Sequence, residues 1–212
     1  MRNSTVYLYV NIYLLGTEKL SFTAKQKKII DAAIELIAEK SIQQLTIKNL
    51  SKKLGVTEGA LYRHFPGKLD ILLGILMMFK NEARKNLERA KVSKQPAIKQ
   101  LESIFMYRLK YFTKKPAVAA VIFSESIFQN HKRLAEEVNN FLKMHEETLH
   151  VILEKGIQNN EIKKDIDIED TIYIIIGSMR YLVTRWRLDG HQFDLCKAGK
   201  KLLKNLKLFL VA

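Results

Sequence analysis

The chain has 212 residues, 47% of them apolar, enough to bury a sizeable core and to exclude wholesale disorder. Only 3 Pro and 9 Gly occur, too few for a turn-rich β fold and well suited to long helices. Lys and Arg outnumber Asp and Glu by 36 to 22, and the resulting +14 favours a polyanionic partner. The single Cys196 excludes an intramolecular disulfide and, with no secretory signature, points to a reducing cytoplasm.

Charge does not locate that partner. Residues 21–68 carry 9 basic and 4 acidic groups, whereas residues 80–115 carry 11 and 3. The first twenty residues, MRNSTVYLYVNIYLLGTEKL, differ from the rest and are expected to form a poorly ordered extension. A functional anchor or a DNA arm is the other reading of them. Their apolar run, Val6 to Leu15, is about half of what spans a bilayer, and no small-residue cleavage site follows it. No membrane partner is expected.

From Ser21 onward the apolar periodicity is helical. Ile30, Ala33, Ile34 and Ile37 stripe a first helix, about Ala24 to Lys40. Two short helices follow, about Ile47 to Leu54 and Glu58 to His64, then a long one from Lys68 to about Val92. Pro96 and Pro116 suit the first turns of a fifth helix reaching about Thr113 and a sixth reaching about Phe128. A seventh covers about Lys132 to Gln158. Asp167 can cap an eighth, Ile168 to Leu188, with Glu169 and Asp170 well placed in its first turn. The Asp189–Gly190 pair ends it, and a ninth runs from about Asp194 to Phe209. The predicted fold is all-α, about nine helices: an N-terminal three-helix head over 21–67 and a larger helical domain over 68–212.

The most informative stretch is LTIKNLSKKLGVTEGALYRHFPGK, from Leu45 to Lys68. Leu50 and Leu54 give the first short helix an inward face. Gly55 falls just past its end, where a left-handed backbone favours glycine. Val56 is expected to plug the gap between the helices, and Thr57 to cap the second. Leu61 and Phe65 point back towards Ala33, Ile37 and Leu50. Glu58, Gly59, Ala60, Tyr62, Arg63 and His64 are left outward on a helix small enough at its start to sit deep in a major groove.

This segment resembles the DNA-binding head of the TetR family of transcriptional regulators over about residues 23–75. LGVTEGALYRHFPGKLDIL is the most specific part, with Thr46, Gly55, Leu61, Tyr62, His64, Phe65 and Lys68 in register. The resemblance implies that Thr46, Lys48, Tyr62, His64 and Lys68 approach phosphates. It also implies that Glu58, Gly59, Ala60 and Arg63, following the Thr57 cap, face base edges. Two positions depart from the family. Ser41 stands where glycine often ends helix one, at a cost of about 1 kcal/mol if the left-handed backbone is kept. Ser51 stands where alanine is usual. Glu58 has an alternative role as favourable charge at a helix N-terminus.

The eighth helix is apolar nearly all round, so it must be buried on more than one side. Ile172, Ile176, Met179 and Val183 on it, with Leu195, Leu202, Leu206 and Phe209 on the ninth, are the expected dimer interface. The resemblance implies pairing of the last two helices into a four-helix bundle, and hence a near-palindromic operator. Gly199 would let a neighbouring helix come close.

An apolar effector site is expected from Phe105, Leu109, Phe112, Phe123, Phe128, Phe141 and Met144, all of which could equally be core. His145, Tyr173, Gly177 and Arg180 are its polar or open positions. Arg180, read as buried, needs an anion, either Glu125 or a ligand carboxylate. No nucleotide-binding glycine loop, HExxH or CxxC occurs, so neither enzyme activity nor a cofactor or metal is expected. The expected protein is a cytoplasmic repressor that leaves its double-stranded operator when a small-molecule effector binds. A DNA-binding factor without an inducer, and a helical interaction module, are the alternatives.

Overall fold

A computed structural model describes residues 22–124 and 131–211. Among these residues there are nine helices and no strand. They are α1 (Ala24–Glu39), α2 (Ile47–Leu54), α3 (Glu58–Tyr62), α4 (Lys68–Lys91), α5 (Ala97–Lys114), α6 (Pro116–Ile122), α7 (Lys132–Gln158), α8 (Ile168–Leu188) and α9 (Leu195–Leu210). The extension over 1–20, Glu125 and Phe128 lie outside the described residues. No described helix is long and apolar enough to cross a membrane.

Two compact units are present, one up to Asn81 and one from Glu82 onward. The division falls inside α4 rather than at its start, where the sequence pattern places it. The first half of α4 belongs to the head because Ile71, Leu73 and Ile75 are buried there. Gly74 lets that half approach closely: a Cβ on it would sit 2.9 Å from Ile30 Cδ1 and 3.4 Å from Phe65 Cε1.

The helix ends follow local chemistry. Thr23 closes a capping box on α1, accepting from Gln26 N–H at 3.2 Å while its own N–H donates to Gln26 Oε1 at 3.0 Å. Asp167 and Asp194 cap α8 and α9, accepting from the N–H groups of Asp170 (2.8 Å) and Lys197 (2.9 Å). Pro116 opens α6 where its missing N–H costs nothing. The start of α5 has no cap from its own turn. Glu161, from the segment after α7, accepts from Ala97 N–H instead, at 2.5 Å.

In the second unit α5 is the hub, packed by α6, α7, α8 and most extensively α9. Gly199 makes the α9 contact possible, since a Cβ there would overlap Leu109 Cδ1. Phe105 and Leu109, offered by the sequence as pocket residues, are therefore packed against α9 in the core.

Ser41, after α1, has φ +140°, a positive-φ backbone that is not the left-handed helical one expected from the sequence. Serine is strained there and glycine is not. Ser41→Gly should raise stability by about 1 kcal/mol, read as a higher urea midpoint at unchanged slope.

Candidate nucleic-acid interface

The head is assembled around α3, a helix too short to persist alone. Thr46 caps α2 by accepting from Asn49 N–H at 3.0 Å. Gly55 ends α2 at φ +66°, ψ 34°, a left-handed conformation that glycine adopts without penalty. Its N–H donates to the Lys52 carbonyl at 3.2 Å, and Val56 N–H reaches the Ser51 carbonyl at 3.0 Å. Thr57 caps α3, accepting from Ala60 N–H at 3.2 Å. α3 ends at Tyr62, before the expected His64, and the chain keeps one more turn beyond it, with His64 and Phe65 N–H both donating to the Leu61 carbonyl.

Leu61 and Phe65 are buried with Ala33, Ile37 and Leu50, as their spacing predicts. Lys53 ties α1 to α2 through Glu39 (2.7 Å) and Glu35 (3.4 Å). Ser51, at the position where alanine is usual, is buried and donates to the Lys48 carbonyl at 2.9 Å, so its hydroxyl is satisfied.

Glu58, Gly59, Tyr62 and Arg63 are exposed, and Ala60 and His64 are half-buried. Thr46, Lys48 and Thr57 are also exposed. Lys68 is half-buried: its Nζ donates to the Ile42 carbonyl at 3.1 Å, and burial lowers its pKa. It therefore pins the turn after α1 as well as presenting a cation. Val56 does not plug the helix gap; it is 43% exposed. It faces a concavity of about 470 Å³ beside α3, whose cationic lining comes from Lys25, Lys28 and Arg63, with His64 beside them.

In the second unit the buried cation is Arg108, 3% exposed, and not Arg180, which is exposed with its guanidinium 5.8 Å from the Phe123 ring centre. Arg108 Nη2–H donates to Nε2 of His145 at 2.5 Å, and His145, 4% exposed, donates from Nδ1 to the Phe141 carbonyl at 3.1 Å. A guanidinium can only donate, so His145 is the neutral tautomer protonated on Nδ1. Burial, then the charge of Arg108, push the His145 pKa down to about 3. Burial lowers that of Arg108 to about 9, leaving it charged at neutral pH. Phe141 completes the cluster, its ring centre 4.4 Å from that of His145 and 5.2 Å from the Arg108 guanidinium carbon.

Of the other expected effector residues, Phe112 is buried, edge-on to half-buried Phe123 at 5.6 Å, and Met144 is half-buried. Tyr173 (63% exposed) and Gly177 lie on the outer surface of α8. The expected dimer residues divide. Ile172, Val183, Leu195 and Leu206 are buried within the protomer, facing its own core, while Ile176, Met179 and Leu202 are half-buried and Phe209 is exposed. The outward apolar face of α8 is instead Tyr173, Ile174 (59%), Gly177, Tyr181 (66%) and Leu188. Among the described residues, no three His, Cys, Asp or Glu side chains could hold a metal ion.

Sequence reasoning missed Arg108, although it falls in the period of Leu101, Ile104, Phe105 and Phe112 on the buried face of α5. That periodicity was the available signal. Lys25 and Lys28 gave none, because only the packing of α1 brings them to the side of α3.

This head and its helical partner domain define a helix-turn-helix regulator. Residues 29–75 match the family model for bacterial regulatory proteins of the tetR family, and residues 76–208 that for the C-terminal region of YsiA-like proteins. The chain belongs to the TetR family of DNA-binding transcriptional regulators, which are not enzymes. It is 29% identical to the fatty acid metabolism regulator protein of Bacillus subtilis (strain 168), over 86% of this chain and 93% of that one. The structure of FadR from Bacillus subtilis in complex with stearoyl-CoA superposes with a TM-score of 0.76 at 28% identity, covering 88% of this chain and 99% of that one. FadR from Bacillus halodurans, at 21% identity, shares the fold with a TM-score of 0.78, over 89% and 97% of the two chains.

Two expectations follow. A Cβ on Gly59 meets nothing within 4 Å, so Gly59→Leu should leave the melting temperature unchanged or higher. Its operator affinity should nevertheless fall about tenfold or more in fluorescence anisotropy, through obstruction of the groove. The second concerns His145, neutral and buried when folded, and free to protonate near pH 6.5 when unfolded. Its contribution is fully present above pH 6.5 and declines as pH falls towards 3, by on the order of 1 kcal/mol per unit. The stability difference between the wild type and His145→Gln should narrow over that window in urea titrations.

Proposed function

We propose that the chain is a homodimeric, cytoplasmic repressor that leaves a near-palindromic operator when a long-chain acyl thioester binds its second unit. The observation that carries the DNA half of this reading is the exposed face of α3, held by the Thr57 cap and by buried Leu61 and Phe65. Arg63 suits bidentate contact with a guanine, and Gly59 and Ala60 permit close approach to base edges. Thr46, Lys48, Tyr62, His64 and Lys68 suit the flanking phosphates.

Dimerisation is inferred from the uncovered apolar face of α8, where Gly177 sits open between Ile174 and Tyr181, continued on α9 by Leu202 and Phe209. Two-fold pairing there would present two heads to an inverted repeat. The effector class follows from likeness to the Bacillus subtilis regulator bound to stearoyl-CoA. The half-buried side chains of Phe141, packed on the Arg108–His145 pair, of Met144, next to His145 in the chain, and of Phe123 are the favoured lining. Ligand and operator would then bias one equilibrium through α4, antagonising each other by equal factors. Close packing of Leu109 on Gly199 favours, at that end of α5, the reading in which no inducer exists.

Selection from a random duplex pool should recover an inverted repeat. Stearoyl-CoA should then weaken binding to that duplex by about fivefold or more in fluorescence anisotropy. Unchanged affinity at saturating stearoyl-CoA would discard the effector and leave the DNA reading standing. Recovery of no repeat would discard the paired operator. Tyr181→Glu should give monomers in sedimentation with helicity retained.

A further inference from the structure

The concavity beside α3 is lined by two lysines that the reading head does not otherwise use. Lys25 and Lys28 stand on the first two turns of α1, both exposed, and share the hollow with Arg63 and His64. Its apolar side is formed by Val56 and Leu54 over buried Ile29 and Leu61. Among the described residues, neither lysine forms an ion pair, whereas Lys53 on α2 is held by two carboxylates.

Their placement opposes local helix physics. The N-terminus of a helix carries partial positive charge and favours Asp or Glu. The start of α1 has no acid in its first turn, and Lys25, Lys27 and Lys28 instead. Cations set where the backbone disfavours them, uncompensated and beside the reading helix, suit an anion supplied from outside the fold.

We infer that the operator's sugar–phosphate backbone passes through this concavity, with Lys25 and Lys28 neutralising phosphates and exposed Val56 lying against deoxyribose. This rests on α3 being the reading helix, and extends the contact surface along α1 to a second stretch of backbone. Such contacts add affinity and salt dependence without adding sequence preference. Lys27 provides an internal control, because it belongs to the same turns but does not line the hollow.

The test is operator binding by the full chain across a salt series, for Lys25→Gln/Lys28→Gln, Lys27→Gln, Tyr62→Ala and wild type. The double variant should bind about fivefold or more weakly near 0.1 M salt, and its log affinity against log salt should flatten by about 0.9 for each phosphate no longer neutralised. Its selected sequence should match that of the wild type, and its melting temperature should not fall. Lys27→Gln should behave as wild type. An unchanged slope in the double variant, with Tyr62→Ala impaired, would overturn this inference and leave the reading of α3 intact. An equal effect of Lys27→Gln would also overturn it, reducing the effect to net charge. If Tyr62→Ala were as silent as the double variant, the reading of α3 would fall as well.

Discussion

Burial of Leu61 and Phe65 is the constraint on which the rest depends. A helix of five residues makes too few internal hydrogen bonds to offset its nucleation cost, so α3 exists because the head holds it from behind. Thr57 at its start and the Leu61 carbonyl near its end satisfy backbone groups that so short a helix leaves open. With those groups and two side chains committed inward, Glu58, Gly59, Tyr62 and Arg63 are displayed on a rigid support. Rigidity matters because base recognition depends on side chains arriving in one register.

The second unit solves a different problem. Its hub, α5, is packed by four other helices, so its buried face tolerates little change in volume. Into that face is set a guanidinium, an expensive group to bury, with a neutral imidazole and an aromatic ring as partners. The pair costs stability whenever the pH approaches the range where free histidine protonates. A buried charge of this kind adds little stability compared with an apolar side chain of the same volume.

The last two helices illustrate how one helix serves several surroundings. On α9 the buried residues, half-buried Leu202 with exposed Phe209, and most of the lysines occupy different sectors of the circumference. On α8 one side packs inward through Ile172, Ile175, Val183 and Trp186, and the opposite side leaves Tyr173, Ile174 and Tyr181 uncovered. This uncovered apolar face is what the proposed pairing would bury.

Much of the fold was legible in the residues alone, because capping and periodicity are local. Thr46, Thr57, Asp167 and Asp194 mark helix starts by chemistry, and Gly55 marks an end by conformation. The inward role of Leu61 and Phe65 and the outward set on α3 followed from the same arithmetic. What only the tertiary structure decided is which side of each helix meets a neighbour. An apolar stripe on α8 does not say which side faces its own core, so Val183 turned inward while Tyr181 stayed out. A cation within an apolar helix does not say whether it is buried, so Arg108 rather than Arg180 is the enclosed guanidinium. The bearing of Lys25 and Lys28 on α3 was invisible for the same reason, since residues more than thirty positions apart become neighbours only through the packing of α1 against the rest of the head.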